Sequence, residues 1–508
     1  MLQRLRGRTF LTPVLIAACS LVISATLSLL APTLPVPGVH DEFSYLLAGD
    51  TFSHGRLTNS PHPLWPFFET FQVLSQPTYM SKYPPAEGTF LALGILVARE
   101  PILGVWISTA LACAAAWWAL AGIMPRRWAT IGALVMAIHP VLLQWNWSYW
   151  GGAPAMIGGC LVVGAIARLA KRRGRVFDGA MLGLGIGILL NSRPFEGAVL
   201  TLLCLAIFLG RIARGPGLKS IAIGALPVLG LIVGWTAYYN YRVTGSAMQF
   251  PYTLYEKQYA VTSPLIWLPP PARTPEYRLE QMREYYHDWE LKRYEEQRTA
   301  RGLVRETAFK FWTFVKAYFI STPAMILPAV AALWALARDR KLRPMAILLL
   351  LMLLAGFSGI WFFSHYFAPA VILYLIVLIQ GLRHLRAWRP RGIWIVRAVL
   401  LLHIAAAVVF CWTNILPPPT EGWAPKRASI LQDMLRDGGK HLVIVHRQPG
   451  ASYHFEWVYN AADIDASPVV WAHDLGAAEN RALLDYYRDR TVWLLDVGAD
   501  SISLNPYR

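Results

Sequence analysis

Three adjacent residues, His40, Asp41 and Glu42, place two carboxylates directly after a long charge-free stretch of the chain. Charged side chains are costly to hold at the end of a membrane span, so the acidic pair indicates a functional site. Lys82 follows in the same loop, on the turn 82–85 (Lys-Tyr-Pro-Pro), whose backbone two successive prolines restrict. Acids and a cation on one side of a membrane are what chemistry on a lipid-linked phosphate needs.

These three charged residues also have ordinary interpretations. Acids such as Asp41 and Glu42 are common in solvated loops and at helix N-termini, and Lys82 could extend toward lipid headgroups. The charge-free run before the acids and the amphipathic sequence around Tyr45 after them favour the functional interpretation.

Arg193 and Glu196 are predicted to lie toward membrane depth. Fourteen uncharged residues separate Asp178 from Arg193, and another fourteen separate Glu196 from Arg211. Fourteen helical residues rise about 21 Å, which is short of a hydrocarbon core of about 30 Å. Ionisable groups at that depth are functional candidates, although the two could also form a pair that satisfies itself.

Two further segments at predicted loop turns have open interpretations. His365 and Tyr366 lie between two predicted spans, where a histidine is as often structural as functional. The segment 146–152 contains three aromatic residues, which are typical of a membrane interface belt and also of a sugar-binding platform.

The composition predicts an α-helical, polytopic membrane protein. Of 508 residues, 55% are hydrophobic and 15% are charged, and the mean hydropathy is +0.39. The net charge of +17 comes from short clusters between apolar stretches, without a basic stripe, and this excludes a nucleic-acid-binding protein. The chain also has no P-loop, glycine-rich nucleotide motif or nucleophile elbow, so a soluble nucleotide-sugar site is excluded.

Windows of about 20 apolar residues predict about eleven transmembrane helices. They are 10–32, 101–123, 128–144, 152–168, 177–192, 196–213, 219–240, 317–337, 344–362, 365–382 and 394–413. Six basic clusters all fall on one side of this arrangement, which predicts a cytoplasmic N-terminus and a C-terminus on the other face. The basic N-terminus followed by an apolar run has the outline of a signal peptide, but we interpret it as a retained first span.

Two domains follow from this topology: a transmembrane part, 1–415, with outer loops 33–100 and 242–316, and a C-terminal part, 416–508. The first outer loop includes a short apolar helix at 86–97. The C-terminal part is predicted to be a small extracytoplasmic α/β domain. Its predicted strands are 442–445 and 492–495, and its predicted helices are 427–437 and 476–488.

Three motifs together resemble those of the C-type (GT-C) glycosyltransferases. The motifs are Asp41-Glu42-x-x-Tyr45, Lys82-x-Pro84-Pro85 and His365-Tyr366-x-x-Pro369. This family includes protein O-mannosyltransferases, aminoarabinose transferases of lipid A and transferases that decorate lipopolysaccharide cores. The resemblance covers 1–415 and extends only loosely to the tail.

The resemblance implies a polyprenyl-phosphate sugar as donor and a lipid, glycan or protein as acceptor, on the periplasmic face of a bacterial inner membrane. Asp41 would be the general base of a one-step, inverting transfer, and Glu42 would shape the site or, with Asp41, hold a divalent metal, which nothing in the sequence requires. Lys82, Arg193 and His365 would stabilise the leaving phosphate. The other implied substrate-binding residues are Tyr45, Tyr83, Glu196 and Tyr366.

The chain departs from the family at two places. Segment 146–152 lacks an acid that several members carry there, and His365 stands where these transferases have an arginine. Two alternative functions stay open: a transporter or flippase of lipid-linked saccharides, and a non-catalytic envelope assembly protein. A transporter is expected to have repeats or interrupted helices in matching halves, and the sequence indicates neither.

Overall fold

Helices dominate the fold because a chain in hydrocarbon must satisfy every backbone N–H and C=O within its own segment. The structure, a computed structural model, describes residues 2–171, 174–340, 342–418, 422–499 and 501–507. The α-helices of the first 415 residues are α1 (Leu2–Leu30), α2 (His40–Ser53), α3 (Ala86–Ala98), α4 (Pro101–Ile123), α5 (Arg126–Ala137), α6 (Pro140–Asn146), α7 (Ala153–Leu169), α8 (Val176–Leu190), α9 (Pro194–Ala213), α10 (Gly217–Ser220), α11 (Leu226–Thr244), α12 (Pro251–Tyr259), α13 (Glu280–Arg283), α14 (Leu291–Gln297), α15 (Ala300–Val315), α16 (Ile326–Ala335), α17 (Leu342–Phe357), α18 (Val371–Arg386) and α19 (Arg391–Phe410).

Short helical turns of other types extend or join these helices. The π-helical turns are Ile221–Ala225, Glu284–Glu290, Lys316–Ile320 and Cys411–Ile415, and the 3-10 turns are Trp65–Phe68, Pro323–Met325 and Ser364–Ala370. Small side chains let the central helices approach closely: Ala116 in α4 and Cys160 in α7 are fully buried in one core, together with Leu375 of α18.

Among the described residues, six helices are long and apolar enough to cross a membrane, and eight if each of two bent pairs counts as one span. The six are Leu11–Leu30, Pro101–Ile123, Pro194–Ala213, Gly217–Thr244, Ser364–Arg386 and Arg391–Ile415. The other predicted spans coincide with the shorter apolar helices α7, α8 and α17. A membrane protein is therefore supported, whereas eleven crossings stay a prediction.

Two spans are interrupted, which the sequence did not indicate. Helices α5 and α6 meet at 56°, and Ala300–Ile320 meets Pro323–Ala335 at 100°. Buried polar groups satisfy the backbone at these breaks: His139 accepts from the Val141 amide, and the His403 ring contacts Thr322 Oγ1 at 2.7 Å. His403 also donates to the Val135 carbonyl at 2.9 Å, so it joins the two breaks.

The first long loop, 33–100, folds against the helical body and contains α2, a short antiparallel pair and α3. Strands β1 (Val73–Leu74) and β2 (Met80–Ser81) form the pair. Helix α2 packs closely on α3, because a Cβ at Gly49 would come within 2.7 Å of Leu91. The Ala86 amide donates to the Asn191 carbonyl at 2.9 Å, which fixes the start of α3 to the turn between α8 and α9.

The C-terminal part is an α/β unit, as predicted. Its elements are α20 (Trp423–Asp437), β3 (His441–Arg447), β4 (Val469–His473), α21 (Ala477–Tyr486), β5 (Thr491–Val497) and β6 (Ile502–Pro506). The sheet order is β4-β3-β5-β6; β3 pairs in parallel with β4 and β5, and β6 is an antiparallel edge strand. Strands β4 and β6 were not predicted from the sequence.

The tail and the first loop share one hydrophobic core. Phe43 stacks on Tyr459 with ring centroids 4.2 Å apart, and Phe67 and Phe68 are buried in the same cluster as Trp457. The two parts of the chain are therefore packed together at the first loop, and the boundary at 415/416 stays a prediction.

Candidate functional site

Asp41 lies in the first turn of α2, beside a tyrosine from the turn 82–85. The Tyr83 hydroxyl donates to Asp41 Oδ1, and the Tyr83 ring stacks on Tyr45 at 4.6 Å. Tyr45 lies one helical turn after Asp41, so the same face of α2 presents both. Tyr83 therefore contacts both Asp41 and Tyr45, which precede it in the chain by 42 and 38 residues.

Burial raises the pKa of the Asp41 carboxyl, while the Tyr83 hydrogen bond and the positive charges of Lys82 and Arg193 oppose this rise. Burial also raises the pKa of the Tyr83 phenol well above its usual value, and the charge of Asp41 adds to this. Tyr83 is therefore a protonated donor, and Asp41 is the group here that can accept a proton.

Glu42 is buried and directed away from this contact. Its Oε1 accepts from the Tyr149 amide at 2.9 Å, and its Oε2 accepts from the Gly38 amide at 2.6 Å. Glu42 thereby fixes the entry to α2 against the turn that follows α6. Of its two predicted roles, shaping the site has direct contacts that support it.

Lys82 lies in an aromatic surround with one acid. It is 5% exposed, its Nζ donates to Glu256 Oε1 at 2.9 Å, and it lies 4.5 and 4.7 Å from the ring centroids of Tyr255 and Tyr252. An ammonium group has three N–H donors, so the ion pair leaves two available for a ligand.

Arg193 is the last residue before α9 and is half-buried. Its guanidinium carbon lies 4.0 Å from the ring centroid of Tyr366, in a cation–π arrangement. The charge of Glu196, in the first turn of α9, acts on Arg193. The charge of Asp41 also acts on Tyr366, the residue that Arg193 contacts. Arg193 and Asp41 therefore lie near the same tyrosine.

His365 and Tyr366 come from the 3-10 turn Ser364–Ala370 that begins the span continued by α18. The His365 ring is buried and lies 4.6 Å from the ring of Trp150 and 4.9 Å from that of Tyr366. The charge of Arg193 acts on His365. The aromatic segment 146–152 therefore contributes one wall of the site through Trp150, beside its backbone contact with Glu42.

The second long loop supplies residues that the sequence did not single out. Tyr252 and Glu256 on α12 contact Lys82, and Glu290 is buried, accepting from Thr262 Oγ1 at 2.9 Å and from Trp361 Nε1 at 3.1 Å. Burial, with the charge of Glu256, raises the pKa of Glu290 to about 7. One signal was available: Pro251 to Glu256 holds two tyrosines and an acid in one helix start.

Among the described residues, no group of three or more His, Cys, Asp or Glu side chains could hold a metal ion. Each Glu42 oxygen already accepts from a backbone amide, and Asp41 accepts from Tyr83. These partners do not form the oxygen-rich shell that a divalent cation requires. A divalent metal at Asp41 and Glu42, which the sequence allows but does not require, therefore stays a prediction.

Solved structures with this fold are membrane glycosyltransferases. ArnT from Cupriavidus metallidurans bound to undecaprenyl phosphate aligns with a TM-score of 0.55 and 11% identity, over 95% of this chain and 92% of that one. Its apo structure aligns with a TM-score of 0.51 and 10% identity, over 97% of this chain and 93% of that one. The Archaeoglobus fulgidus oligosaccharyltransferase in complex with Zn and sulfate aligns with a TM-score of 0.50 and 13% identity, over 94% of this chain and 67% of that one.

No family model matches the chain, and no curated protein matches it. At 10–13% identity the alignments define the fold alone. That fold is the one of the GT-C glycosyltransferases, so the resemblance carried by the three motifs is confirmed at the level of the fold.

Proposed function

We propose that this protein is an integral membrane glycosyltransferase that transfers a sugar from a polyprenyl-phosphate donor to an acceptor on the periplasmic face. The observation that supports the proposal is the contact of Tyr83 with Asp41, together with the charges of Lys82 and Arg193 that act on Asp41 from two other segments, on a GT-C fold. A solved structure with this fold contains undecaprenyl phosphate, which supports a lipid-linked donor.

The reaction would begin at Asp41. Its carboxylate takes the proton of an acceptor hydroxyl, and that oxygen forms a bond to the anomeric carbon of the donor sugar as the bond from this carbon to the lipid phosphate oxygen breaks. The electron pair of the breaking bond leaves with the phosphate. Attack opposite the leaving group inverts the anomeric centre in one step. A positioned base contributes about 10²–10⁴ in rate.

The leaving phosphate gains negative charge, which nearby cations stabilise. Lys82 offers its two remaining N–H donors, and Glu256 with the rings of Tyr252 and Tyr255 holds the ammonium group in place. Arg193 lies on the ring of Tyr366 and hydrogen-bonds with that residue, and its other guanidinium N–H groups would donate to the phosphate oxygens. The His365 ring lies 4.9 Å from that of Tyr366, where the charge of Arg193 acts on it.

The test is the glycan and lipid-linked sugar profile of a deletion strain complemented with Asp41→Asn or with wild type. We expect Asp41→Asn to reduce transfer about 10²–10⁴-fold, because the amide cannot accept the proton. Asp433→Asn changes a carboxylate that is 67% exposed and is the matched control, with an unchanged profile expected. A normal glycan profile with Asp41→Asn protein present in the membrane contradicts the proposal and favours an assembly protein.

The interrupted helices favour a second candidate, a transporter of lipid-linked saccharides, because such proteins use broken spans. The two breaks differ in angle, 56° and 100°; at them Thr322 and His403 are hydrogen-bonded, and the His403 ring lies 5.7 Å from that of His139. A reconstituted protein that moves the lipid-linked saccharide across vesicles, and does so equally well as Asp41→Asn, would establish transport instead of transfer.

A further inference from the structure

Five aromatic side chains form a continuous strip across three parts of the chain. They are Tyr285, Trp289, Trp361, Tyr453 and His454, and we call them the aromatic strip. Trp289 is at its centre: its ring stacks on Trp361 at 4.8 Å, meets His454 edge-on at 4.6 Å and lies 5.1 Å from Tyr285. Tyr453 lies 4.4 Å from His454.

The strip is part of a surface and not of the core. All five rings are half-buried, whereas the core tryptophans Trp145, Trp457 and Trp471 are fully buried. Tyr453 and His454 belong to the C-terminal part, and both contact Tyr285 and Trp289 of the second loop. An aromatic belt facing lipid would have no such protein partner.

One end of the aromatic strip contacts His40, the residue directly before the proposed base Asp41. The His40 ring lies 5.9 Å from the Tyr285 ring, and a His40 ring N–H donates to the His454 carbonyl at 2.8 Å. Asp41 follows His40 directly, and its charge acts on Tyr285. A molecule resting on the strip would therefore have one end beside Asp41.

The charged groups beside the strip already have partners. Arg447 pairs with Glu284 at 2.6 Å, Arg283 pairs with Asp288 at 3.0 Å, and Glu290 accepts from the Trp361 indole. Arg293 pairs with Glu306 at 2.8 Å and lies 4.6 Å from the ring centroid of Trp361, whose ring also stacks on Trp289. The rings of Trp289 and Tyr453 are thus what the strip offers to a ligand. An aromatic face carries negative charge density and attracts polarised C–H groups, such as those on the flat side of a sugar ring.

We propose that the aromatic strip binds the acceptor, and that the acceptor is a saccharide whose sugar rings stack on Trp289 and Tyr453. A peptide acceptor would instead require a free strand edge or a groove of aliphatic side chains. This inference rests on the proposed function, and it assigns the C-terminal part a direct role in acceptor binding.

The test measures saccharide binding to the full-length protein in detergent by saturation-transfer NMR. The probes are linear gluco-, manno- and arabino-oligosaccharides, with peptides containing Ser, Thr and Asn as the contrasting set. We expect at least one oligosaccharide to bind saturably through its ring C–H protons. Trp289→Ala and Tyr453→Ala should each raise its Kd about tenfold or more, because stacked aromatic side chains dominate such contacts.

Trp412→Ala is the matched control, since Trp412 lies in the last helical turn before the tail and is 73% exposed. Its Kd for the same oligosaccharide should stay within about twofold of wild type. Trp289→Phe keeps a ring face and should restore most of the binding, which separates lost stacking from lost folding. Thermal unfolding of each variant checks that the alanine proteins are folded.

Three results would overturn the inference: no oligosaccharide in the panel binds, the peptides bind in their place, or both alanine variants bind like wild type. Failure of the proposed function is a separate result, because it appears as an unchanged glycan profile with Asp41→Asn. If Asp41→Asn abolishes transfer while the strip variants bind oligosaccharide normally, the proposed glycosyltransferase function is supported and the assignment of the strip as the acceptor site is wrong.

Discussion

At the scale of single residues, the hydrogen bond from Tyr83 to Asp41 decides the charge state of the proposed base. Burial raises the pKa of Asp41, and the Tyr83 hydroxyl works against that rise because it donates to the charged form. A base acts only when deprotonated, so the rate should increase with pH as Asp41 loses its proton. The acid limb of the wild-type pH–rate profile should therefore lie above 3.8, the ordinary value for this carboxyl.

Tyr83→Phe keeps the ring that stacks on Tyr45 and removes the hydroxyl. We expect the pKa of Asp41 to rise further, so that the acid limb moves to higher pH and the loss of rate is largest at low pH. The measurement is kcat/KM against pH for both proteins. Tyr486→Phe, at a hydroxyl that contacts Asp465 in the tail, is the control whose limb stays in place. If the acid limb of the pH–rate profile lies at the same pH in wild type and Tyr83→Phe, Asp41 is not the titrating base.

At the scale of elements, a glycine contact holds the turn that carries His365 and Tyr366. A Cβ at Gly159 on α7 would lie 1.9 Å from the Pro369 carbonyl oxygen, which belongs to the backbone and has no rotamer to change. Gly159→Ala should push this turn away from Arg193, and a displacement of about 1 Å can cost about 10²-fold in rate. We also expect a loss of about 1–3 kcal/mol in stability from overpacking.

Gly210→Ala is the paired control within another span, since nothing lies within 4 Å of the added Cβ. This variant should keep wild-type activity and gain about 0.5–1 kcal/mol, because alanine loses less backbone entropy than glycine on folding. Both effects can be read from detergent-solubilised protein by transfer assay and thermal unfolding. Full activity in Gly159→Ala would show that the position of the 364–370 turn is unimportant for the reaction.

The elements also show why some strands and helices could be predicted from the sequence and others could not. Strands β3 and β5 were predicted because Leu442–Val445 and Val492–Leu495 are continuous apolar runs bounded by polar residues. Strand β4 does contain such an apolar run, 469–472, which was passed over in the sequence. Edge strand β6 alternates apolar and polar residues from Ile502 to Asn505 and ends in a proline, so it lacks the pattern. The interrupted spans were missed because hydropathy averages over a break, and His139 or Thr322 is one polar residue in an apolar window.

The residues of the candidate site likewise divide into those that could be predicted from the sequence and those that could not. Asp41, Lys82 and Arg193 stood out because each is a charge in an apolar context or on a rigid turn. Glu290 lies in the charged stretch 275–305, where one carboxylate cannot be distinguished from its neighbours. Glu256 stands beside Lys257 in an otherwise uncharged part of the same loop, and a lone Glu-Lys pair in a loop does not indicate a buried partner. Only the folded chain shows that Glu256 pairs with buried Lys82.

At the scale of the whole molecule, the C-terminal part completes the core around the acidic helix α2. Phe43, next to Glu42, stacks on Tyr459 at 4.2 Å and lies 4.9 Å from the guanidinium carbon of Arg427. Arg427 in turn donates to the Trp457 and Tyr459 carbonyls at 2.9 and 2.8 Å. Asp41 is therefore positioned by the membrane helices on one side and by the tail on the other.

Ending the chain after Ile415 should for this reason inactivate the protein, even though every proposed catalytic residue is kept. The truncation would expose Phe43, Phe67 and Phe68, and burial of each such side chain contributes about 1.5–3 kcal/mol. We expect the first loop, 33–100, to become sensitive to limited proteolysis while the membrane helices stay protected. Arg427→Ala in the full-length chain should give a milder form of the same change, because it removes the link to Phe43 and leaves the shared core. A truncated protein with a protected loop and normal transfer would show that the tail is dispensable, and that α2 holds Asp41 in place without it.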